Sequence, residues 1–277
     1  VQLTGIELNR ERLEEKIGIR ARHIAHLRGI DQTSADFAEH AARAAIASAG
    51  VDPGEVGMFV VGTDTPEYIS PSTAVVVQGR LQGGQKHTLS FDLNTSCAGF
   101  VTALDMAASY LQTHPRVRYA SVTGVYNMPA FVRPGDSFGY SIFADGAGSV
   151  LLERAPDQPG YRHGTFITDG TQWDYVGVYT GGTRKPATVE RLQQGDWGLQ
   201  LLQRLPGDRN VKLWPPVVDH LLSEAGLSRT DIDHIIFTQI NRSVIQQVME
   251  ILELPMEKTT TIMDRYGYTG SACVAMA

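Results

Sequence analysis

One cysteine in this sequence sits where a cysteine could act as a nucleophile. Cys97 lies within the stretch DLNTSCAGF, between small polar residues and the first residues of a segment with helical periodicity. A thiol at the first turn of a helix is close to unpaired backbone N–H groups and to the positive end of the helix dipole, which favour the thiolate. Ala98 and Gly99 leave space for a substrate chain and for a backbone N–H directed at an oxyanion. Cysteine is also often a small buried hydrophobe, so the residues alone leave both interpretations open.

The elements that would position Cys97 alternate between helices and strands. The pattern predicts a helix over residues 33–50, a strand over 56–62, a helix over 70–84, a strand over 87–94, a helix over 97–111, and strands over 117–124 and 140–154. Alternation of this kind implies a mainly parallel sheet that is covered by helices on both faces. Cys97 would then lie at the turn between one strand of this sheet and the helix that follows it.

Two segments of the first half have counterparts in the second. AGVDPGEVGMFVVGT (49–63) aligns without a gap on AGLSRTDIDHIIFTQ (225–239), and HTLSFDLNTSCAG aligns on TTTIMDRYGYTGS with Asp92 opposite Asp264. Two such pairs in the same order predict a duplicated unit, with an N-terminal half over residues 1–155 that carries Cys97 and a C-terminal half over 156–277. The first copy has two further strands after its helix, whereas the second ends where the matching helix begins. We therefore expect the C-terminal end of the second half to be missing from this chain.

Composition excludes several classes of function. The chain has 277 residues, of which 42% are hydrophobic and 19% are charged, which is enough to form a large core. A net charge of −6 and the absence of a basic cluster argue against nucleic-acid binding. No apolar run approaches the ~18 residues of a membrane span. With only two cysteines, a disulfide framework is excluded and a cytoplasmic location is expected. No metal site is expected either, since Cys273 has no cysteine or histidine at metal-ligand spacing.

Several motifs occur together in the order of a known enzyme family. They are GIRARHIA (18–25), GTDTPEYISPSTA (62–74), NTSCAGF around Cys97, FADGAGSVLLE (143–153) and LPMEKTTTIMDRYGYTGSA (254–272). Together they resemble the β-ketoacyl-acyl-carrier-protein synthase III branch of the thiolase superfamily. The resemblance implies an α/β fold of the thiolase type, a duplicated five-layer αβαβα sandwich, and usually a homodimer.

The resemblance also implies acyl transfer at Cys97. In this family the cysteine attacks the thioester of an acyl-CoA or an acyl carrier protein and holds the acyl group as an enzyme thioester. Its own backbone N–H and a glycine N–H near the C-terminus then stabilise the oxyanion. CoA or phosphopantetheine enters as part of a substrate, so no cofactor is expected. The tryptophan-bearing stretch that grips the CoA adenine in the family is missing or shortened here, which favours a carrier-protein donor.

Two positions depart from the family pattern. The motif HQAN, whose histidine helps to stabilise an enolate during malonyl decarboxylation, is replaced by TQIN, which places Thr238 at the histidine position. The motif GNT is replaced by GYT, which places Tyr268 at the asparagine position. A threonine hydroxyl can donate a hydrogen bond but cannot act as a base near neutral pH, and a tyrosine phenol has an ordinary pKa of ~10. Asn241 keeps a position that the resemblance associates with the pantetheine arm.

Another histidine could in principle replace the missing one. His234 precedes Thr238 by four residues on a predicted strand, which would put the two side chains on one face but ~13 Å apart. This separation is too large for a simple replacement. Tyr268 is the more interesting candidate, because in its turn it could donate to a thioester carbonyl or restrict the pocket.

Three interpretations of function follow. The first is an acyltransferase that forms acyl-Cys97 and passes the acyl group to an alcohol, an amine or an activated carbon, without standard malonyl decarboxylation. The second is a decarboxylative 3-oxoacyl-acyl-carrier-protein synthase, for fatty acid or polyketide initiation, with an unusual residue set. The third is a non-catalytic partner subunit of a heterodimeric synthase. The retained Cys97 argues against the third, and the loss of both enolate donors argues for it.

Overall fold

The first half of the chain folds around a four-stranded sheet. The computed structural model describes residues 5–84, 86–155 and 157–277. The strands are β1 (Val56–Gly62), β2 (Leu89–Leu93), β3 (Tyr119–Tyr126) and β4 (Gly146–Glu153), in the spatial order β2-β1-β3-β4. β1 is parallel to both β2 and β3, whereas β4 is antiparallel to β3. The mainly parallel sheet predicted from the alternation of elements is therefore present.

Helices cover both faces of this sheet. They are α1 (Ser34–Ser48), α2 (Thr73–Gln82) and α3 (Gly99–Thr113). Successive side chains of a strand point to opposite faces. Accordingly, Phe59 and Val61 of β1 pack with α1 and α2, while Met58 and Val60 pack with α3. Because both faces are buried, β1 is apolar along its whole length rather than alternating, which is why its sequence predicted a buried strand.

The predicted strand over residues 140–154 is only partly correct. Its first residues form a helical turn, α4 (Gly139–Ile142), and the strand itself begins at Gly146. Between them the chain pairs with the second half instead of continuing the ladder. The Ala144 N–H donates to the Tyr268 carbonyl at 2.9 Å, and the Tyr268 N–H donates to the Ile142 carbonyl at 2.9 Å.

The elements of the second half are mostly helices. Its elements are β5 (Val176–Val178), α5 (Val189–Gln193), β6 (Leu199–Leu201), α6 (Arg209–Ala225), α7 (Arg242–Ile251), α8 (Met263–Tyr266) and α9 (Cys273–Met276), with β5 and β6 antiparallel to each other. Short 3₁₀ turns connect many of the elements along the chain, including one at Ser96–Ala98 and one at Gly270–Ala272. None of the helices in the described ranges is long and apolar enough to cross a membrane.

The segments near residues 232–239 and 259–264, which the alignment pairs with the predicted strands 56–62 and 87–94, do not form regular strands. Only an isolated parallel bridge between Ile235 and Thr259 remains of them. A buried side chain takes over the backbone groups that a ladder would use. The Gln239 amide donates to the carbonyls of Phe237 and Thr260 at 2.9 and 3.1 Å, and its oxygen accepts from the Ile262 N–H at 2.9 Å. Gln239 thus helps to hold the two segments side by side.

The largest apolar cluster joins the two halves. It contains Tyr126 and Phe143 from the first half and Ile245, Met249 and Tyr268 from the second. Residues that lie far apart in the sequence therefore share one core next to the carboxyl ends of the parallel strands. This places the turn after β2 against the second half.

Asp92 fixes the start of α2 from the neighbouring strand β2. Its carboxylate accepts hydrogen bonds from the Thr73 and Ala74 N–H groups at 2.6 and 2.8 Å. N–H groups in the first turn of a helix have no partner within the helix. We expect Asp92→Ala to lower the free energy of unfolding by about 1–2 kcal/mol, measured by urea denaturation. Asp92→Asn keeps one acceptor oxygen and should lose less. Equal midpoints for wild type and Asp92→Ala would contradict this role.

Candidate active site

Cys97 lies in the predicted order of strand, turn and helix. β2 ends at Leu93, Cys97 is in the 3₁₀ turn over Ser96–Ala98, and α3 begins at Gly99. Ser96 has φ of 49°, a left-handed conformation that non-glycine residues adopt rarely. Such a conformation persists only where the surrounding structure enforces it, and it is most common at functional sites.

The structure brings Cys97, Thr238 and Tyr268 together. The Tyr268 hydroxyl donates to the Cys97 Sγ at 2.5 Å, and the Thr238 hydroxyl donates to the Tyr268 hydroxyl oxygen at 3.2 Å. The second cysteine, Cys273, lies beside this chain of hydrogen bonds. Its Sγ is 3.3 Å from the Thr238 Oγ1 and donates to the Gly270 carbonyl at 2.9 Å. Thr238 is therefore hydrogen-bonded to Tyr268 and Tyr268 to Cys97, so both departing family positions lie in one chain of hydrogen bonds with Cys97.

The first half of the chain fixes the orientation of Tyr268. Its side chain is 1% exposed, and its ring lies 5.9 Å from that of Phe143 and 6.2 Å from that of Tyr126. Both backbone groups of Tyr268 are bonded to the segment that precedes β4. The ring cannot turn away without opening this core, so the hydroxyl is held against Cys97.

The thiol is neutral in the resting site. Cys97 is exposed as a residue, but its Sγ lies against the buried Tyr268 hydroxyl. Burial raises the pKa of the Cys97 thiol to about 12, although the hydrogen bond from Tyr268 opposes this. The raised pKa runs against the expectation that the helix N-terminus would favour a thiolate, and its main cause is the loss of solvation.

Tyr268 is a hydrogen-bond donor and not a base. Burial, and after it the negative charge that Cys97 would carry, raises the pKa of the Tyr268 phenol well above its ordinary value. The phenol thus stays protonated throughout the physiological pH range. Thr238 completes the arrangement by donating to the phenol oxygen, which orients the Tyr268 proton toward sulfur.

The residues after Cys97 serve the packing of the turn. The Ala98 N–H donates to the Thr95 carbonyl at 3.1 Å, and the Gly99 N–H donates to the Ser96 carbonyl. Gly99 is buried, and a Cβ on it would lie 3.0 Å from the Ser271 Cβ of the second half. A role of Ala98 and Gly99 in substrate binding remains a prediction, whereas the close approach of Gly99 to the second half is seen directly.

Asn241 and the histidines lie outside this hydrogen-bonded group. Asn241 is the N-cap of α7, and its oxygen accepts the Ser243 N–H and hydroxyl at 3.0 and 2.8 Å. Its role at the pantetheine arm remains a prediction. His234 is not on a regular strand, and its Nε2 lies 2.9 Å from the Thr260 hydroxyl. It does not replace the missing histidine. Within the described residues, no group of three His, Cys, Asp or Glu side chains could hold a metal ion.

Sequence reasoning missed Asp64, which lies in the motif GTDTPEYISPSTA. Its Oδ1 is buried without a hydrogen-bond partner in the described part of the chain. Burial raises the pKa of the Asp64 carboxyl to about 6, and its charge raises the pKa of Cys97. Its position in the sequence could have pointed to it. Asp64 follows β1 by two residues, and β1 is the parallel neighbour of β2, the strand that leads to Cys97.

Known proteins resemble nearly the whole chain. The model of 3-oxoacyl-[acyl-carrier-protein] synthase III matches residues 91–170, and the model of its C-terminal domain matches residues 222–277. A β-ketoacyl-[acyl-carrier-protein] synthase III of Xanthomonas campestris pv. campestris (strain 8004) is 34% identical over 277 residues, which cover 98% of this chain and 81% of the relative.

Solved structures agree with this result. A 3-oxoacyl-(acyl carrier protein) synthase III from Pseudomonas aeruginosa is 27% identical with a TM-score of 0.77, over 95% of this chain and 77% of that one. The priming β-ketosynthase of a polyketide biosynthetic pathway is 27% identical with a TM-score of 0.81, over 98% of this chain and 78% of that one. The thiolase-like fold predicted from the sequence is confirmed. The division at residue 155, the homodimer and the cytoplasmic location remain predictions.

Proposed function

Because this chain belongs to the β-ketoacyl-[acyl-carrier-protein] synthase III family, we propose that Cys97 takes an acyl group from an acyl-CoA or acyl-carrier-protein thioester and passes it to an acceptor without standard malonyl decarboxylation. In the first step the Cys97 sulfur bonds to the acyl carbon and the donor carbon–sulfur bond breaks. The proton of the Cys97 thiol passes to the sulfur of the departing donor. The Tyr268 hydroxyl holds the Cys97 sulfur in place for this step.

The chain of hydrogen bonds from Thr238 through Tyr268 to Cys97 is the observation that carries this proposal. According to the resemblance, a decarboxylative synthase has a histidine and an asparagine at these two positions, and both donate to the enolate. Here the Tyr268 proton is directed at Cys97, and the Thr238 proton is directed at Tyr268. Both donors are therefore engaged in hydrogen bonds to other residues of this chain. The arrangement supports formation of the acyl-enzyme and gives no support to an enolate.

The first test is the mass of the intact protein after incubation with a panel of acyl-CoA and acyl-carrier-protein thioesters. We expect wild type to gain the mass of one acyl group, and Cys97→Ala to gain none, because only Cys97 is placed to attack. Peptide mapping should place the group on the Cys97 peptide. A group on the peptide that contains the buried Cys273 would contradict the assignment.

A second assay separates the alternatives. We expect no Cys97-dependent release of CO₂ from a malonyl-carrier thioester, since a hydrogen-bonded threonine and tyrosine replace both enolate donors. Cys97-dependent release would instead support a decarboxylative synthase with an unusual residue set. Neither an adduct nor CO₂ release, together with stable association with a homologue that carries the histidine and asparagine, would support a non-catalytic partner subunit.

A further inference from the structure

Asp64 and Cys97 leave the sheet at the same edge on neighbouring strands. β1 and β2 are parallel and stay in register to their last residues, where Gly62 pairs with Leu93. Parallel strands end together, so the loops that follow them are neighbours. The contact is close, because a Cβ on Gly62 would lie 2.3 Å from the backbone carbon of Gly99. Asp64 is thus placed beside the turn that carries the nucleophile.

The backbone around Asp64 is held rigidly. Thr63 and Thr65, on either side of it, are 2% and 1% exposed. The Thr65 N–H donates to the Thr63 hydroxyl oxygen at 3.0 Å, and the Thr65 hydroxyl oxygen accepts the Asn127 N–H at 2.8 Å. The Ser34 hydroxyl donates to the Thr65 carbonyl at 2.6 Å. The carboxylate therefore sits on a fixed frame.

This rigid frame leaves one carboxylate oxygen without a partner. The Asp64 Oδ1 is buried and accepts no hydrogen bond from the residues that the structure describes. Leaving a buried acceptor unsatisfied costs free energy, and native proteins keep few of them. By contrast, the nearby Asp92 and Glu67 bond backbone N–H groups at the starts of α2 and α1. The Asp64 carboxylate instead interacts with its own backbone N–H, and the N-caps of these two helices are Thr33 and Ser72.

The charge of Asp64 acts on the nucleophile. It raises the pKa of Cys97 and of the buried Tyr126. Burial raises the pKa of Asp64 itself to about 6, close to the range in which a carboxylate transfers protons efficiently at neutral pH. Tyr268 stays protonated, and Thr238, which donates to it, cannot act as a base, so neither of these two groups can accept the proton.

We propose that Asp64 is the general base of acyl transfer from Cys97, and that the acceptor is therefore a nucleophile that carries a hydroxyl or amine proton. The proposal rests on the proposed function. The acceptor oxygen or nitrogen bonds to the acyl carbon while its proton passes to the Asp64 carboxylate. The acyl carbon–sulfur bond then breaks, and the Cys97 sulfur takes that proton from Asp64. Asp64 and the thiol return to their starting states, and no other reactant is needed. A malonyl extender would lose CO₂ and would not need this base.

The test separates loading of Cys97 from its discharge. Wild type and Asp64→Asn are first acylated with the donor that gives the mass adduct, and loss of the acyl group is then followed in water, n-butanol or ethanolamine. We expect both proteins to load one acyl group, and Asp64→Asn to discharge it to these probes about 100- to 10,000-fold more slowly. Hydroxylamine, a strong nucleophile that needs little help from a base, should discharge both at similar rates.

Equal discharge of wild type and Asp64→Asn to every probe would overturn the role of Asp64 and leave the proposed function standing. Absence of any adduct on wild type would overturn both. A folded Asp64→Asn that fails to load would place Asp64 in the first step and would also overturn its assignment to the acceptor. We expect this variant to fold, since it removes a buried charge.

A measurement on wild type alone gives an independent check. Deacylation requires the Asp64 carboxylate, so its rate should fall as the pH drops through about 6. The expected profile between about pH 5 and pH 8 rises to a plateau, and Asp64→Asn should lose the dependence. A flat profile for wild type would overturn the proposal.

Discussion

Tyr268→Phe is expected to slow acylation of Cys97 about 100-fold while leaving the fold intact. The substitution removes only the hydroxyl that donates to the Cys97 Sγ at 2.5 Å, and the buried ring keeps its place beside Phe143. Loss of one donor at a reacting centre typically costs a factor of this size. The Tyr268 hydrogen bond lowers the pKa of Cys97, so the variant should have a still higher thiol pKa and less thiolate at neutral pH. The rate of Cys97 alkylation by iodoacetamide as a function of pH measures the thiol pKa of each variant.

Two other substitutions serve as matched controls for Tyr268→Phe. Tyr126→Phe removes the hydroxyl of a second buried tyrosine, which makes no hydrogen bond to Cys97 in the described part of the chain, and it should leave alkylation nearly unchanged. Thr238→Val removes the donor to Tyr268 but keeps the direct contact with sulfur, so its effect should be intermediate. An effect of Tyr126→Phe as large as that of Tyr268→Phe would indicate a general loosening of the core and would contradict a specific role of the Tyr268 hydroxyl.

The first half of the fold could be predicted because its signals are local. The apolar run of β1 marks a strand buried on both faces, and the Thr33 capping box and Gly50, with φ of +66°, mark the ends of α1. The second half could not be predicted in the same way. Its apolar residues near 232–239 have strand propensity, but Gln239 takes the hydrogen bonds that a neighbouring strand would make. Strand propensity depends on such partners, and the sequence does not reveal them.

The candidate site, too, was predictable in part. Cys97, Thr238 and Tyr268 could be chosen from the motifs that contain them. The contacts among them could not be predicted, because the hydrogen bond between Tyr268 and Cys97 joins residues that are 171 positions apart. Nor could the raised pKa of Cys97, which depends on what surrounds its sulfur. Sequence reasoning missed Asp64 because a single aspartate after a strand is common. Its buried, unpaired Oδ1 and its place on the strand beside the one that leads to Cys97 are seen only in the structure.

Gly62→Ala is expected to destabilise the protein by about 3 kcal/mol or more and to abolish acylation of Cys97. The added Cβ would lie 2.3 Å from the backbone carbon and oxygen of Gly99 and 2.7 Å from the Phe100 nitrogen. Overpacking costs about 1–3 kcal/mol where side chains can move aside, and more where they cannot. Here the obstacle is the backbone of α3, so relief requires the helix to move away from β1 and to carry the Cys97 turn with it. Urea denaturation and the mass adduct on Cys97 measure the two effects.

Gly79→Ala provides a control of opposite sign for the same chemical change. Gly79 lies in the exposed face of α2, and a Cβ there would meet nothing within 4 Å. An alanine in the interior of a helix loses less backbone entropy on folding than a glycine, so this variant should gain about 0.5–1 kcal/mol and keep the adduct. If both variants unfolded at the wild-type urea concentration, β1 and α3 would not be in backbone contact. The position of Cys97 beside Asp64 and Tyr268 depends on that contact, because it sets how far the turn stands from the end of β1.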